Sequence, residues 1–108
     1  MRRGDTVSVV TQGDFGKPRP ALILQANQFA AHSSVTVALI TSLMVDAPLL
    51  RVSVTPTAKN GLQKPSQIMI DKTMTVKRDK IGAILGRIEA ADLVVVERCL
   101  AIFLGIAK

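Results

Sequence analysis

Tryptophan and tyrosine are absent from the chain, and phenylalanine occurs only as Phe15, Phe29 and Phe103. Proteins that read single strands by stacking bases on aromatic rings need more than this, so a platform of that kind is not expected. Cysteine and histidine occur once each. A lone Cys99 excludes an intrachain disulfide and a cysteine-rich zinc site, and a lone His32 excludes a histidine-built metal site. His32 falls among small residues, Ala30-Ala31-His32-Ser33-Ser34, and reads as a loop histidine. Cys99 reads as a small core residue. The aspartates are scattered singly, so neither a metal nor another cofactor is expected. Phosphate-loop and dinucleotide fingerprints are missing. No apolar run reaches the roughly 18 residues of a membrane helix. Asp5 and the polar stretch from Thr11 to Arg19 interrupt any signal-peptide core, and a cytoplasmic protein is expected.

Acidic residues are scarce. Eight Asp and Glu face fourteen Lys and Arg among 108 residues, a formal net charge of +6. With 48% hydrophobic and 20% charged residues the chain is globular rather than disordered. No repeat or linker divides it, so a single domain over 1–108 is expected. The cations are unevenly placed: Lys59, Lys64, Lys72, Lys77, Arg78 and Lys80 are opposed only by Asp71 and Asp79. Such a run is either a solvated face or the footprint of a polyanion.

Hydrophobic periodicity indicates short strands followed by one helix. Val7 and Val9 alternate with Thr6 and Ser8, as in a half-buried strand over Asp5 to Thr11. Thr11 to Pro18 is a loop, and Ala21 to Leu24 a second strand. Ala26 to Ser34 has room for a helical turn. Val35 to Ile40 is apolar and β-branched, hence a central strand, with Thr41 and Ser42 at its end. Leu50, Val52 and Val54 alternate with Arg51, Ser53 and Thr55. Lys59-Asn60-Gly61 carries a turn signal. Ile68 and Ile70 share one face of a strand, and Gln67, Met69 and Asp71 the other. Gly82 and Gly86 within Ile81 to Ile88 predict a strand with a bulge or a close approach. Leu93, Val96, Leu100 and Phe103 recur at helical spacing, and Gly105 is a plausible stop. Val94, Val95 and Ile102 lie off that stripe, which suits a helix packed on more than one side. The whole is a mostly antiparallel barrel or sheet carrying a C-terminal helix.

One local cluster stands out. In Gly16-Lys17-Pro18-Arg19-Pro20 two cations are held by two prolines just before a strand. Proline fixes its own φ and restricts its predecessor, so Arg19 has a stiff backbone. Its planar fork suits two phosphate oxygens. A plain strand-edge arginine is the other reading.

Several segments, in order and nearly end to end, resemble the MazF/PemK/Kid toxin family. These are Arg3-Gly4-Asp5-Thr6-Val7, Gly16 to Leu24 with its Arg19-Pro20 pair, Val37 to Ser42 ending in Thr41-Ser42, Asn60-Gly61-Leu62 with Pro65 to Asp71, and Lys80 to Ile88 before the helix. The resemblance implies a small SH3-like antiparallel β-barrel with a C-terminal helix, of the kind shared by CcdB and MazF. It implies a homodimeric toxin of a type II toxin–antitoxin system that cuts single-stranded mRNA at short sequences without metal. In that family the 2′-hydroxyl attacks the phosphate, leaving a 2′,3′-cyclic phosphate and a 5′-hydroxyl. The implied partner is an antitoxin, acidic and partly disordered, through whose complex alone operator DNA is bound.

Carried over residue by residue, the family's catalytic positions fall on Arg19, Thr41 and Asp71, with Ser42 beside Thr41. Met69 stands where some members carry an arginine. Cleavage needs a charge stabiliser, a proton acceptor and a donor to the leaving oxygen. Arg19 is the stabiliser, Thr41 can donate to a phosphate oxygen, and Asp71 is the candidate base or orienting group. Lys17, Lys64, Lys72, Lys77 and Arg78 would track the RNA backbone, with Phe15, Ser42 and Gln67 placed to touch substrate. A strand-end cap for Thr41 and an ion pair with Lys72 or Lys77 for Asp71 are the structural alternatives. Two other functions compete. One is a CcdB-like toxin that inhibits DNA gyrase without cutting RNA, and the other is a binding module without turnover.

Overall fold

The computed structural model describes residues 1–11 and 17–108. Six strands and one helix make up the regular structure there: β1 (Asp5–Val9), β2 (Arg19–Ile23), β3 (Ser34–Thr41), β4 (Arg51–Val54), β5 (Ser66–Lys77), β6 (Ile81–Arg87) and α1 (Ala90–Phe103). The expected helical turn is a 3-10 turn at Asn27–Phe29. The strands form one sheet in the order β4-β5-β3-β2-β1-β6, every neighbouring pair antiparallel.

Alternation on the central strands serves two cores. Ala38 and Ile40 of β3 pack with Leu22, Val52, Val54, Ile68, Ile70 and Ile88 beneath Val96 and Cys99 of α1. Val35 and Val37 point the other way, to Val7, Val9, Ala21, Ile23 and Val76. A strand buried on both faces reads as a near-continuous apolar run, as Val35 to Ile40 does. β5 serves both cores. It advances from Ile68 to Thr73 while its partner β3 goes only from Ile40 to Ala38, a register shift of three residues. Ile68 and Ile70 lie before the shift, and Met74 and Val76 beyond it.

The glycines of β6 explain how the sheet curls. A methyl group on Gly86 would collide with Lys59 O and lie 2.7 Å from the Asn60 carbonyl carbon. Arg87 N donates to the same Lys59 O at 2.8 Å. That contact joins β6, at one edge of the sheet, to the connection that follows β4, at the other. The small antiparallel barrel with a C-terminal helix is the observed fold.

Four local expectations shift. β1 ends at Val9, and Thr6 is fully buried because its hydroxyl donates to Asn60 O at 2.7 Å. β5 runs on to Lys77, since Thr73, Thr75 and Val76 favour a strand and pair with β3. On α1 Cys99 is the core residue expected of it, 7% exposed, whereas Phe103 of the expected inward stripe is 47% exposed. The helix stops as expected: Gly105 is left-handed at φ 76° and Ile106 N donates to Ala101 O at 2.8 Å. No helix among the described residues is long and apolar enough to cross a membrane.

Candidate active site

A cleft of about 510 Å³ opens where β2 begins and β3 ends. The β2–β3 ladder closes at Ala21 and Leu39. Arg19 and Thr41 each lie two residues beyond that pair, so the period of two puts both side chains on one face. Both line the cleft, together with Lys17, Ser42 and Lys64. Leu62, Gln63 and Gly61 form a facing wall, and Leu85 of β6 and Ser8 of β1 its flank. Three cations and no carboxylate are found among the described lining residues. A site so charged attracts phosphate.

Local sequence explains each placement. Pro18 and Pro20 stiffen the backbone around Arg19, which is exposed. Thr41 Oγ1 accepts a hydrogen bond from Leu43 N at 3.1 Å, a local turn that ends β3. That bond uses a lone pair and leaves the hydroxyl proton for donation into the cleft. Ser66 Oγ donates to Lys64 O at 2.8 Å and sets the chain where Lys64 leaves it.

The remaining expected site residues among those described lie outside the cleft. Gln67 is buried; its Nε2 donates to Val45 O at 2.9 Å and its Oε1 accepts from Val45 N at 3.0 Å. It thereby ties down the segment after Ser42. Asp71 lies against Arg51 at 4.0 Å and Lys72 at 3.8 Å, with Oδ1 buried and without a hydrogen-bond partner. Lys77 pairs with Ser34, at the opposite end of β3 from Thr41. Seven steps of about 3.3 Å separate those ends, roughly 23 Å. Arg78 donates to His32 O at 2.8 Å and to Ala30 O, so its guanidinium fixes the turn before β3. Phe15 lies outside the described residues. Among those residues no three of His, Cys, Asp and Glu converge.

The facing wall rests on a hydrogen-bonded group that sequence reading did not single out beyond its Asn-Gly turn signal. Asn60 is fully buried and meets Glu89, the residue at the N-cap of α1. Glu89 makes no side-chain cap to its own helix. Its carboxylate instead accepts from Thr57 Oγ1 at 2.8 Å and Asn60 Nδ2 at 3.1 Å. The Thr57 hydroxyl, then the Asn60 amide and the Lys59 charge, hold the Glu89 carboxyl below the usual glutamate range, against an opposing push from burial. Burial and the nearby Glu89 raise the Asp92 carboxyl.

Residues 2–104 match the family model described as PemK-like, MazF-like toxin of type II toxin-antitoxin system. A curated relative, the probable endoribonuclease MazF of Mycolicibacterium smegmatis, is 46% identical over 108 residues, 99% of each chain. Among solved structures, a mycobacterial endoribonuclease in complex with its cognate antitoxin has the same fold, with a TM-score of 0.85 at 23% identity. The match covers 100% of this chain and 98% of that one. The Mycobacterium tuberculosis toxin MazF-mt6 is 28% identical with a TM-score of 0.77, over 94% of this chain and 99% of its own. Extent, order and fold agree, and the chain belongs to the PemK-like, MazF-like toxin family of type II toxin–antitoxin systems.

Proposed function

We propose that this chain is a toxin endoribonuclease whose cleft cuts single-stranded RNA, mRNA in the cell, and thereby stops translation. The observation that carries the reading is the convergence of Arg19, Thr41, Lys17 and Lys64 on one cleft whose described lining holds no carboxylate. The reaction is a transesterification. The 2′-oxygen of RNA bonds to phosphorus and the P–O5′ bond breaks; solvent water in the open cleft takes the proton from the 2′-oxygen and gives one to the 5′-oxygen. The products are a 2′,3′-cyclic phosphate and a 5′-hydroxyl. The nucleophile belongs to the substrate, so the protein has to orient it and stabilise the charge that builds on the phosphorane. Arg19 meets that charge with a two-pronged donor, Thr41 donates to a phosphate oxygen, and Lys17 and Lys64 hold neighbouring phosphates. Asp71, paired with Arg51 and Lys72, serves this mechanism as an ion pair linking β4 to β5 rather than as the base.

The test is incubation of the purified protein with end-labelled single-stranded RNA, with and without EDTA. Cleavage should be equal in both, and mass spectrometry should find cyclic phosphate ends. Cleavage lost in chelator and restored by magnesium overturns the metal-free mechanism. RNA left intact under every condition overturns the nuclease reading.

The same reading makes the protein a cytoplasmic homodimer controlled by an antitoxin. An acidic, partly disordered antitoxin segment suits a cleft of three cations, where its carboxylates replace RNA phosphates, and operator DNA is then bound through the complex. Val94, Val95, Ile102 and Leu104 on or after α1, and Leu43 and Leu49 before β4, are large apolar side chains exposed in the single chain. Such surface favours self-association. Light scattering at micromolar concentration should give twice the 11.6 kDa chain mass. A monomer mass there rules the dimer out.

A further inference from the structure

We propose that Thr57, Asn60 and Glu89 form a clamp that positions the Gly61–Lys64 wall of the cleft and so sets how tightly RNA is held. The inference rests on the nuclease reading and adds residues that touch no substrate. The buried Asn60 amide uses its full hydrogen-bonding capacity. Oδ1 accepts from Thr57 N and Leu62 N, both at 3.0 Å, and Nδ2 donates to Thr55 O at 2.9 Å and Glu89 Oε1 at 3.1 Å. The main chain of Asn60 is held too: its N donates to Thr57 Oγ1 at 3.0 Å and its O accepts from Thr6 Oγ1 at 2.7 Å. Networks whose members are all satisfied are rigid.

This rigidity is aimed at the cleft. The Leu62 amide is bonded directly to Asn60 Oδ1, and Leu62, Gln63 and Lys64 follow one another along the wall. Glu89 ties that wall to the start of α1. Arg19 and Thr41 are carried by β2 and β3, which contribute no residue to the clamp. Loosening the clamp therefore weakens the hold on RNA while leaving the charge stabiliser and the hydroxyl donor in place.

The variants are Thr57→Val and Glu89→Ala, at positions outside the hydrophobic cores, with Glu89→Gln as the conservative change. Gln keeps an oxygen that accepts from Asn60 Nδ2. Thr57→Val and Glu89→Ala should raise KM for a short RNA about fivefold to tenfold, with kcat within about twofold. Glu89→Gln should lie near wild type. Amide exchange at Leu62 should quicken in the first two variants, while exchange at Ala38 in the core stays slow. Unchanged KM in folded variants overturns the clamp, as does a fall in kcat alone, or a loss of rate that tracks the unfolded fraction in melting curves. Wild-type protein that leaves RNA uncut overturns the nuclease reading instead. The positioning of Leu62 then stands on faster exchange in both variants and falls on unchanged exchange.

Discussion

Arg19→Ala should abolish detectable cleavage and leave the fold in place. The side chain is exposed at the start of β2, and its backbone is held by Pro18 and Pro20 whatever side chain it bears. Exposed substitutions of this kind change stability by about 0.5 kcal/mol or less. The proposed contact strengthens as charge accumulates on the phosphorane, so its loss falls on the transition state. Removing one such donor costs about 10²–10³ in rate, or roughly 3–4 kcal/mol of barrier. With Lys17 and Lys64 left in the cleft to hold the RNA backbone as proposed, kcat should fall further than affinity. Arg19→Lys recovers part of the rate, because an ammonium keeps the charge and loses the fork. Single-turnover cleavage with a melting curve on the same sample checks both halves. Near-wild-type rates remove Arg19 from the mechanism. A collapsed melting temperature makes it structural.

The fold was legible wherever a strand faces one core. Val7 and Val9, Val52 and Val54, and Ile68 and Ile70 are all inward residues that alternation identifies, and all are buried. It was less legible where one strand leaves the first core for the second partway along its length. β5 crosses from one to the other at its register shift, and no local pattern marks residues 69–72 as the crossing. The helix register slipped near its end. Apolar side chains outnumber the positions a single core can take, so spacing alone does not separate the buried Cys99 from the exposed Phe103.

The site divided along a similar line. Lys17, Arg19, Thr41, Ser42 and Lys64 meet in the cleft because strand ends gather there, and three of them, Arg19, Thr41 and Ser42, carry the family resemblance through Arg-Pro and Thr-Ser. The basic run from Lys59 to Lys80 is not one patch. An extended strand separates its residues by about 3.3 Å each, so β5 carries Lys72 and Lys77 away from Lys64. Arg78 is occupied by backbone carbonyls and Gln67 by Val45. The Asn60 group was visible only as a turn signal. Its partner Glu89 is far along the chain and is brought near by the curl of the sheet, which periodicity does not report.

That curl has a single-residue test with the largest effect on stability. Gly61 lies at φ 69°, where a side chain costs about 1–2 kcal/mol. A methyl group there would also collide with Leu85 O and lie 2.7 Å from the Leu85 carbonyl carbon. Backbone on β6 cannot swing aside as a flexible side chain can. Overpacking of that kind costs about 1–3 kcal/mol. Together the two effects put Gly61→Ala at about 3 kcal/mol, and for a chain of this size each kcal/mol lowers the melting temperature by about 4–8 °C. Gly105 is the matched control. Its φ is 76°, yet no atom lies within 4 Å of an added methyl group. Gly105→Ala should therefore show the conformational cost alone, about half or less of the Gly61 effect. Thermal melts of the two variants beside wild type separate the terms. Equal shifts would mean that the close approach of β6 to the cleft wall contributes nothing. A much larger shift at Gly61 makes that approach the contact that closes the barrel and holds Leu62 to Lys64 opposite Arg19.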